Sequence, residues 1–179
     1  MWSFKRTKHL GTRFLILAGF TLLSACGFRP LYGTSSYSGQ VKTELASISI
    51  EEPKDRLTQM VRNHLLYLLT SGQEPSAPRY KLKFKITEQE TNILVHRTTQ
   101  VDRQIYQVKV RFELFDLQNP KSKIPVYSGT DLVKLSYTRT ASEFNNIRTK
   151  KSASEKASKK AAENLHIRLA AWLVRNQTS

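Results

Sequence analysis

Three stretches of the sequence alternate apolar and polar side chains with a period of two, a pattern that fits a sheet with one buried face. Residues 80–87 read YKLKFKIT, which puts Tyr80, Leu82, Phe84 and Ile86 on one face and Lys81, Lys83 and Lys85 on the other. Tyr106, Val108, Val110, Phe112 and Leu114 repeat the pattern against Lys109, Arg111 and Glu113. Residues 126–138 repeat it again, with Val133, Leu135 and Tyr137 alternating with Lys134 and Ser136, after a turn at Asn119-Pro120. Successive side chains of a strand point to opposite sides, so each apolar set must be covered and each cationic set left outside.

Two helical stripes supply the cover. Leu57, Met60, Val61, His64, Leu65 and Leu68 recur at helical spacing, with Gly72 where a helix often stops. Glu51, Glu52, Pro53 and Asp55 stand where a first turn favours acids and tolerates proline. His64 lies on the apolar stripe and reads as a packed side chain. Ala153, Ala157, Ala161, Leu165, Leu169, Trp172 and Leu173 form the second stripe. Ser152-x-x-Glu155 is a capping box that would start that helix, with Thr140-x-x-Glu143 as a weaker competitor. A short strand is expected within Val41–Ile50, where Ala46, Ile48 and Ile50 alternate with Ser47 and Ser49. The expected fold class is α+β. It has one four-stranded, mostly antiparallel sheet with two helices packed on one face, in the order β-α-β-β-β-α. The other face would be strongly cationic.

Composition narrows the partners. The 179 residues carry 29 Lys plus Arg against 14 Asp plus Glu, a net charge of +15, which would ordinarily suggest nucleic acid or an anionic membrane. The single cysteine excludes an internal disulfide and a thiolate-only zinc site. His9, His64, His96 and His166 are too scattered to suggest a metal site.

The first residues change the reading of the charge. Lys5, Arg6, Lys8 and Arg13 precede an uncharged run, Phe14 to Leu23 (FLILAGFTLL). As a helix that run would span about 15 Å, half a bilayer's hydrocarbon thickness, so it reads as a secretory signal over residues 1–25 rather than a lasting anchor. Leu23-Ser24-Ala25-Cys26 then resembles the lipobox of bacterial lipoproteins. In that family the cysteine thiol, a soft nucleophile, takes a diacylglyceryl group and becomes the acylated first residue of the mature chain. Acyl chains contribute roughly 0.8 kcal/mol per buried CH₂, so two or three of them anchor a protein almost permanently. Gly27, rather than Asp, at the next position favours the outer membrane by the sorting rule of enteric bacteria. Processing would leave 25 basic residues against 14 acids, a balance of +11. Residues 26–42, rich in Gly, Ser and Tyr and without a sustained period, read as a lipidated tether to a single α+β domain over 43–179.

The segment Cys26-Gly-Phe-Arg-Pro-Leu-Tyr-Gly33 at a lipobox resembles the start of the LptE family of lipopolysaccharide-assembly lipoproteins. The element order, the mature length and a long Lys- and Ala-rich final helix are similar to that family too. The resemblance implies a non-enzymatic protein without a cofactor, apart from the covalent lipid on Cys26. It implies a plug in the lumen of the outer-membrane β-barrel LptD, which assists barrel assembly and delivery of lipopolysaccharide to the outer leaflet. The family's lipopolysaccharide-contacting basic residues map to the strand connection near His96 and to the stretch before the final helix. Here those stretches offer Arg97, Arg103, Arg148, Lys150 and Lys151 as candidates for lipid A phosphates. If the final helix starts near Ser152, Arg148, Lys150 and Lys151 crowd its positive end, an arrangement that suits a bound anion.

Three rival classes stand against this. No G-x-S-x-G, H-E-x-x-H, P-loop or glycine-rich dinucleotide turn is present, which argues against an enzyme. Export would put nucleic acid in the wrong compartment. A periplasmic adaptor lipoprotein of another envelope transport system is the remaining alternative.

Overall fold

The computed structural model describes residues 36–72, 74–93, 102–119 and 123–177. From Gly39 onward these form one compact unit. The elements are α1 (Ser36–Ala46), β1 (Ile48–Ile50), α2 (Arg56–Thr70), β2 (Tyr80–Ile93), β3 (Asp102–Asp116), β4 (Tyr127–Arg139) and α3 (Glu143–Gln177).

The four strands form one sheet in the order β1-β2-β3-β4. β1 runs parallel to β2, with Ile48 opposite Tyr80 and Ile50 opposite Leu82. The longer pairs are antiparallel, Phe84 opposite Phe112 and Val108 opposite Val133. This is the α+β architecture expected from the alternating strands, with an added helix at its start.

α2 and α3 cover the apolar face. Tyr106, Val108, Val110, Phe112 and Leu114 of β3 are buried there with Leu82 of β2. Val61, Leu65 and Leu69 of α2 and Ala157, Ala161, Leu165, Leu169 and Leu173 of α3 close over them. The small alanines let α3 approach closely, and its 35 residues extend about 52 Å at 1.5 Å each. Trp172 closes the end of the core, stacked on Tyr127 at 5.8 Å and edge-on to Tyr80 at 5.6 Å. Gly129 stands opposite Phe112, and a Cβ there would come within 2.8 Å of the Phe112 ring. Only a glycine leaves room for that ring.

Four local readings differ from the sequence-based expectation. Ser36–Ala46 is helical, so α1 takes the end of the stretch read as tether and most of the segment read as strand, leaving only Ile48–Ile50 extended. Val41 and Leu45, four residues apart and therefore on one helix face, are both buried, which offsets the weak intrinsic preference of SYSGQVKTELA. At the start of α2 the acids do not sit in the first turn. Asp55 is the N-cap, and its carboxylate accepts the Thr58 N–H at 2.8 Å and the Thr58 hydroxyl at 2.7 Å. The helix ends at Ser71 and Gly72, both with positive φ (53° and 76°). His64 is exposed rather than packed, because the buried stripe runs through Val61, Leu65 and Leu69 beside it.

The fourth difference bears on the site. α3 begins at Glu143, so Ser152 lies well inside the helix and its capping box does not act as a cap. Ser142 precedes the first turn: its carbonyl accepts the Asn146 N–H at 3.1 Å, and its hydroxyl accepts the Asn145 N–H at 3.5 Å. Asn146, nearly buried, fixes the entry by accepting the Thr140 N–H at 2.8 Å and donating to the Thr140 carbonyl at 2.9 Å. Those bonds satisfy the chain before the helix, and nothing between Ser142 and Ser152 breaks it.

Candidate functional site: a cationic helix end and an open sheet face

The candidate residues fall into three groups. Cys26 and Arg97 lie outside the described residues. Arg148, Lys150 and Lys151 are exposed on the first turns of α3. Arg103, opposite Ile93 near the far end of the β2–β3 pair, points to the other side of the sheet. The sheet therefore separates Arg103 from the helical group, although both belong to the same end of the molecule.

Starting α3 at Glu143 removes the reason given for an anion there. Arg148 is the sixth helical residue, beyond the turn over which the helix dipole acts. Lys150 moreover has a partner: its ammonium meets the Glu90 carboxylate at 2.5 Å. Glu90 also accepts the Tyr137 hydroxyl at 2.9 Å, and Tyr137 lies 2.6 Å from the Gln104 side-chain oxygen. One layer inward, the Tyr106 hydroxyl donates to Glu88 and lies 3.2 Å from Ser154 Oγ of α3. These groups tie the end of the sheet to the first turns of α3.

Their electrostatics follow from the contacts. The hydrogen bond to Glu90 holds the Lys150 ammonium above its ordinary value. Partial burial pushes the Glu90 carboxyl up, but the bonds from Lys150 and Tyr137 outweigh it and hold the group below the usual carboxylate range. Burial, reinforced by the neighbouring carboxylates, raises the Tyr106 and Tyr137 phenols to about 12. Both phenols therefore stay protonated as donors at neutral pH.

Two side chains missed in the sequence share the helix end. Phe144 and Ile147 are 75% and 62% exposed, far more than most large apolar side chains of the domain. With Arg148 and Lys151 they fall at i, i+3, i+4 and i+7, one stripe of two apolar and two cationic groups facing outward. That spacing is readable in the sequence once the helix is known to start at Glu143. A stripe of this kind can pack on acyl chain or ring while pairing with phosphate. Lys150 lies about 100° further round the helix, held to the sheet by Glu90.

The sheet's open face is the second feature. Register places Lys81, Lys83, Lys85, Arg103, Lys109, Arg111 and Lys134 on it, with Glu113 as the opposing charge. The covered face carries Glu88, Glu90, Asp116 and Asp131 with Arg139. Asp131, buried there, accepts the Asn164 amide at 2.8 Å and lies 3.6 Å from Arg168 of α3. One sheet thus carries opposite charge on its two sides. An open cleft of about 820 Å³ lies at the β1–α2 connection, where Glu51, Glu52 and Asp55 face Lys83 and Lys85 around Phe84 and Phe112.

Comparison with solved structures finds the same architecture in lipoproteins. A candidate lipoprotein from Caulobacter crescentus CB15 superposes with a TM-score of 0.63 at 23% identity, over 76% of this chain and 97% of that one. A minor lipoprotein from Acinetobacter baumannii gives 0.56 at 17% identity, over 69% and 90%. Rare lipoprotein B from Shewanella oneidensis gives 0.47 at 14% identity, over 73% and 97%, too low to weigh. The chain shares the fold of the first two. No protein-family profile and no curated protein matches it.

Proposed function

We propose that this chain is an outer-membrane lipoprotein of the LptE type. In this reading it is anchored through Cys26, plugs an LptD-type β-barrel, assists its assembly and helps deliver lipopolysaccharide to the outer leaflet. The observation that carries the proposal is a lipobox-like Leu23–Cys26 placed ahead of a domain with the fold found in the lipoproteins above. Neither part suffices alone, since a lipobox fits many folds and a fold hosts many functions.

The domain would act by binding, without a cofactor and without catalysis. Phe144, Ile147, Arg148 and Lys151 form the surface best suited to lipopolysaccharide, an amphiphile with phosphates beside its acyl chains. Arg97 and Arg103 belong to the connection between β2 and β3 and its flank, and Lys150 contributes only when Glu90 releases it.

Affinity purification of the lipidated chain in mild detergent tests the reading. Recovery of a large outer-membrane β-barrel supports it, and depletion should then remove lipopolysaccharide from the cell surface and leave the barrel misassembled. Recovery of an inner-membrane transporter would favour the adaptor lipoprotein instead, and normal lipopolysaccharide export after depletion would end the proposal.

A further inference from the structure

On β2, β3 and β4 the open face has seven described cations and one carboxylate, Glu113, and at one edge Glu51, Glu52 and Asp55 border Lys83 and Lys85. Among the described residues none of the seven lies within 4.0 Å of a carboxylate, whereas Lys150, Lys160, Arg79 and Arg168 elsewhere all do. Lys85 stands directly opposite Arg111 across the β2–β3 pair, and Lys109 follows on the same face two residues away. Like charges opposed across strands are destabilising, and the nearby acids (Glu51, Glu52, Asp55 and Glu113) gather at the Lys83–Lys85 edge of the face, away from Lys109, Lys134 and Arg103. A water-facing sheet side is ordinarily polar with both signs interspersed. This one is of nearly one sign, while the acids of the same strands lie on the covered side.

From these observations we infer that the open face is a docking surface for a β-structured protein wall that presents carboxylates. The shape argues for a wall. Three long strands set the cations in a fixed lattice, about 4.8 Å apart between strands and about 6.8 Å apart along them. The face measures roughly 14 by 44 Å, so about 600 Å² is available, most of one side of a standard interface. Half-exposed Leu132, with Ile105 and Phe115 between the cations, supplies apolar packing. A second sheet stacks on such a face at about 10 Å and presents alternate side chains to it. Charge argues for carboxylates, because burying these ammonium groups against an apolar wall would leave each unpaired, at a cost of several kcal/mol per ion. The wall's identity as the barrel lumen rests on the function proposed above; its chemistry does not.

A photo-crosslinking amino acid, placed singly at Lys85, Arg111 and Lys134 and at Lys156 and Lys159 on the exposed side of α3, tests this in cells making the full lipidated chain. Barrel adducts from the three sheet positions support the inference. Barrel adducts from the helix positions alone leave the plug reading standing and overturn the open-face interface. Adducts with phospholipid or lipopolysaccharide from the sheet positions make the face a lipid-binding surface and also overturn it. Absence of a barrel adduct at all five positions removes the plug reading and the inference together. The single variant Lys109→Glu separates docking from folding. It sets a carboxylate among Lys85, Arg111 and Lys134, so the melting temperature should hold or rise while recovered barrel falls at least tenfold. Unchanged recovery refutes the inference.

Discussion

Replacing Glu90 and Lys150 singly and together tests whether the end of the sheet is joined to α3 by charge. The ammonium and carboxylate approach to 2.5 Å, with the two side chains 52% and 32% exposed. At about 4 Å two charges attract by roughly 1 kcal/mol in water and 4 kcal/mol at an effective dielectric of 20. Side-chain ordering and solvent screening reduce that to about 0.2–1 kcal/mol for exposed pairs. The Tyr137 hydroxyl already orients Glu90, which places the expected coupling in the upper half of the range. Urea unfolding of the wild type, Glu90→Gln, Lys150→Met and the double variant gives the coupling energy directly. Its pH dependence follows from the shifts. Glu90 titrates below its ordinary 4.5, so its stabilisation is present above that value and lost as pH falls through the folded-state value. Lys150 titrates above 10.5, so its share is fully present below that value and lost as pH rises through the folded-state value. The coupling should therefore be flat across neutral pH, fade as pH falls through the folded-state value of Glu90 and shrink in 1 M salt. A coupling that persists once Glu90 is protonated, or none at pH 7, would refute an electrostatic joint. Under the proposed function Glu90→Gln also frees Lys150, and lipopolysaccharide binding should tighten.

Three further outcomes are expected. Gly129→Ala drives a methyl into the Phe112 ring and should lower stability by about 1–3 kcal/mol, read from the urea midpoint; a neutral result would mean the ring moves aside freely. Leu165→Ala empties a fully buried position between α3 and the sheet and should cost about 2–5 kcal/mol, measured by calorimetry, with less than 1 kcal/mol contradicting the packing. Asp55→Ala removes the α2 cap and should cost about 0.5–2 kcal/mol at pH 7. Hydrogen bonds from Thr58 hold the Asp55 carboxyl below 3.8, so that difference should vanish as pH falls through its folded-state value, and a cost independent of pH would argue against capping by the charged form.

How much of the molecule can be read from the chain depends on the range of the forces involved. The period of two in β2, β3 and β4 is local, and so is the alanine and leucine stripe of α3; both appear in the structure at the residues expected. α1 was illegible because its stability comes from burying Val41 and Leu45 rather than from its own residues. The start of α3 was misplaced because a local capping box at Ser152 competed with the Thr140–Asn146 bonds, which form only once the chain turns off β4. The outward stripe of Phe144, Ile147, Arg148 and Lys151 was missed with it.

By itself the sequence determined a one-sided sheet, two helical covers, an outward cationic face and the lipobox resemblance at Cys26, since each depends on neighbours a few residues apart. Only the tertiary structure decided which cations have partners. Lys150 meets Glu90 from 60 residues away and Arg168 meets Asp131 across the sheet–helix packing, while Lys85 and Arg111 stand opposite each other with no carboxylate in ion-pair reach among the described residues. Strand register and helix placement set those distances, and charge interaction depends on distance rather than on sequence order.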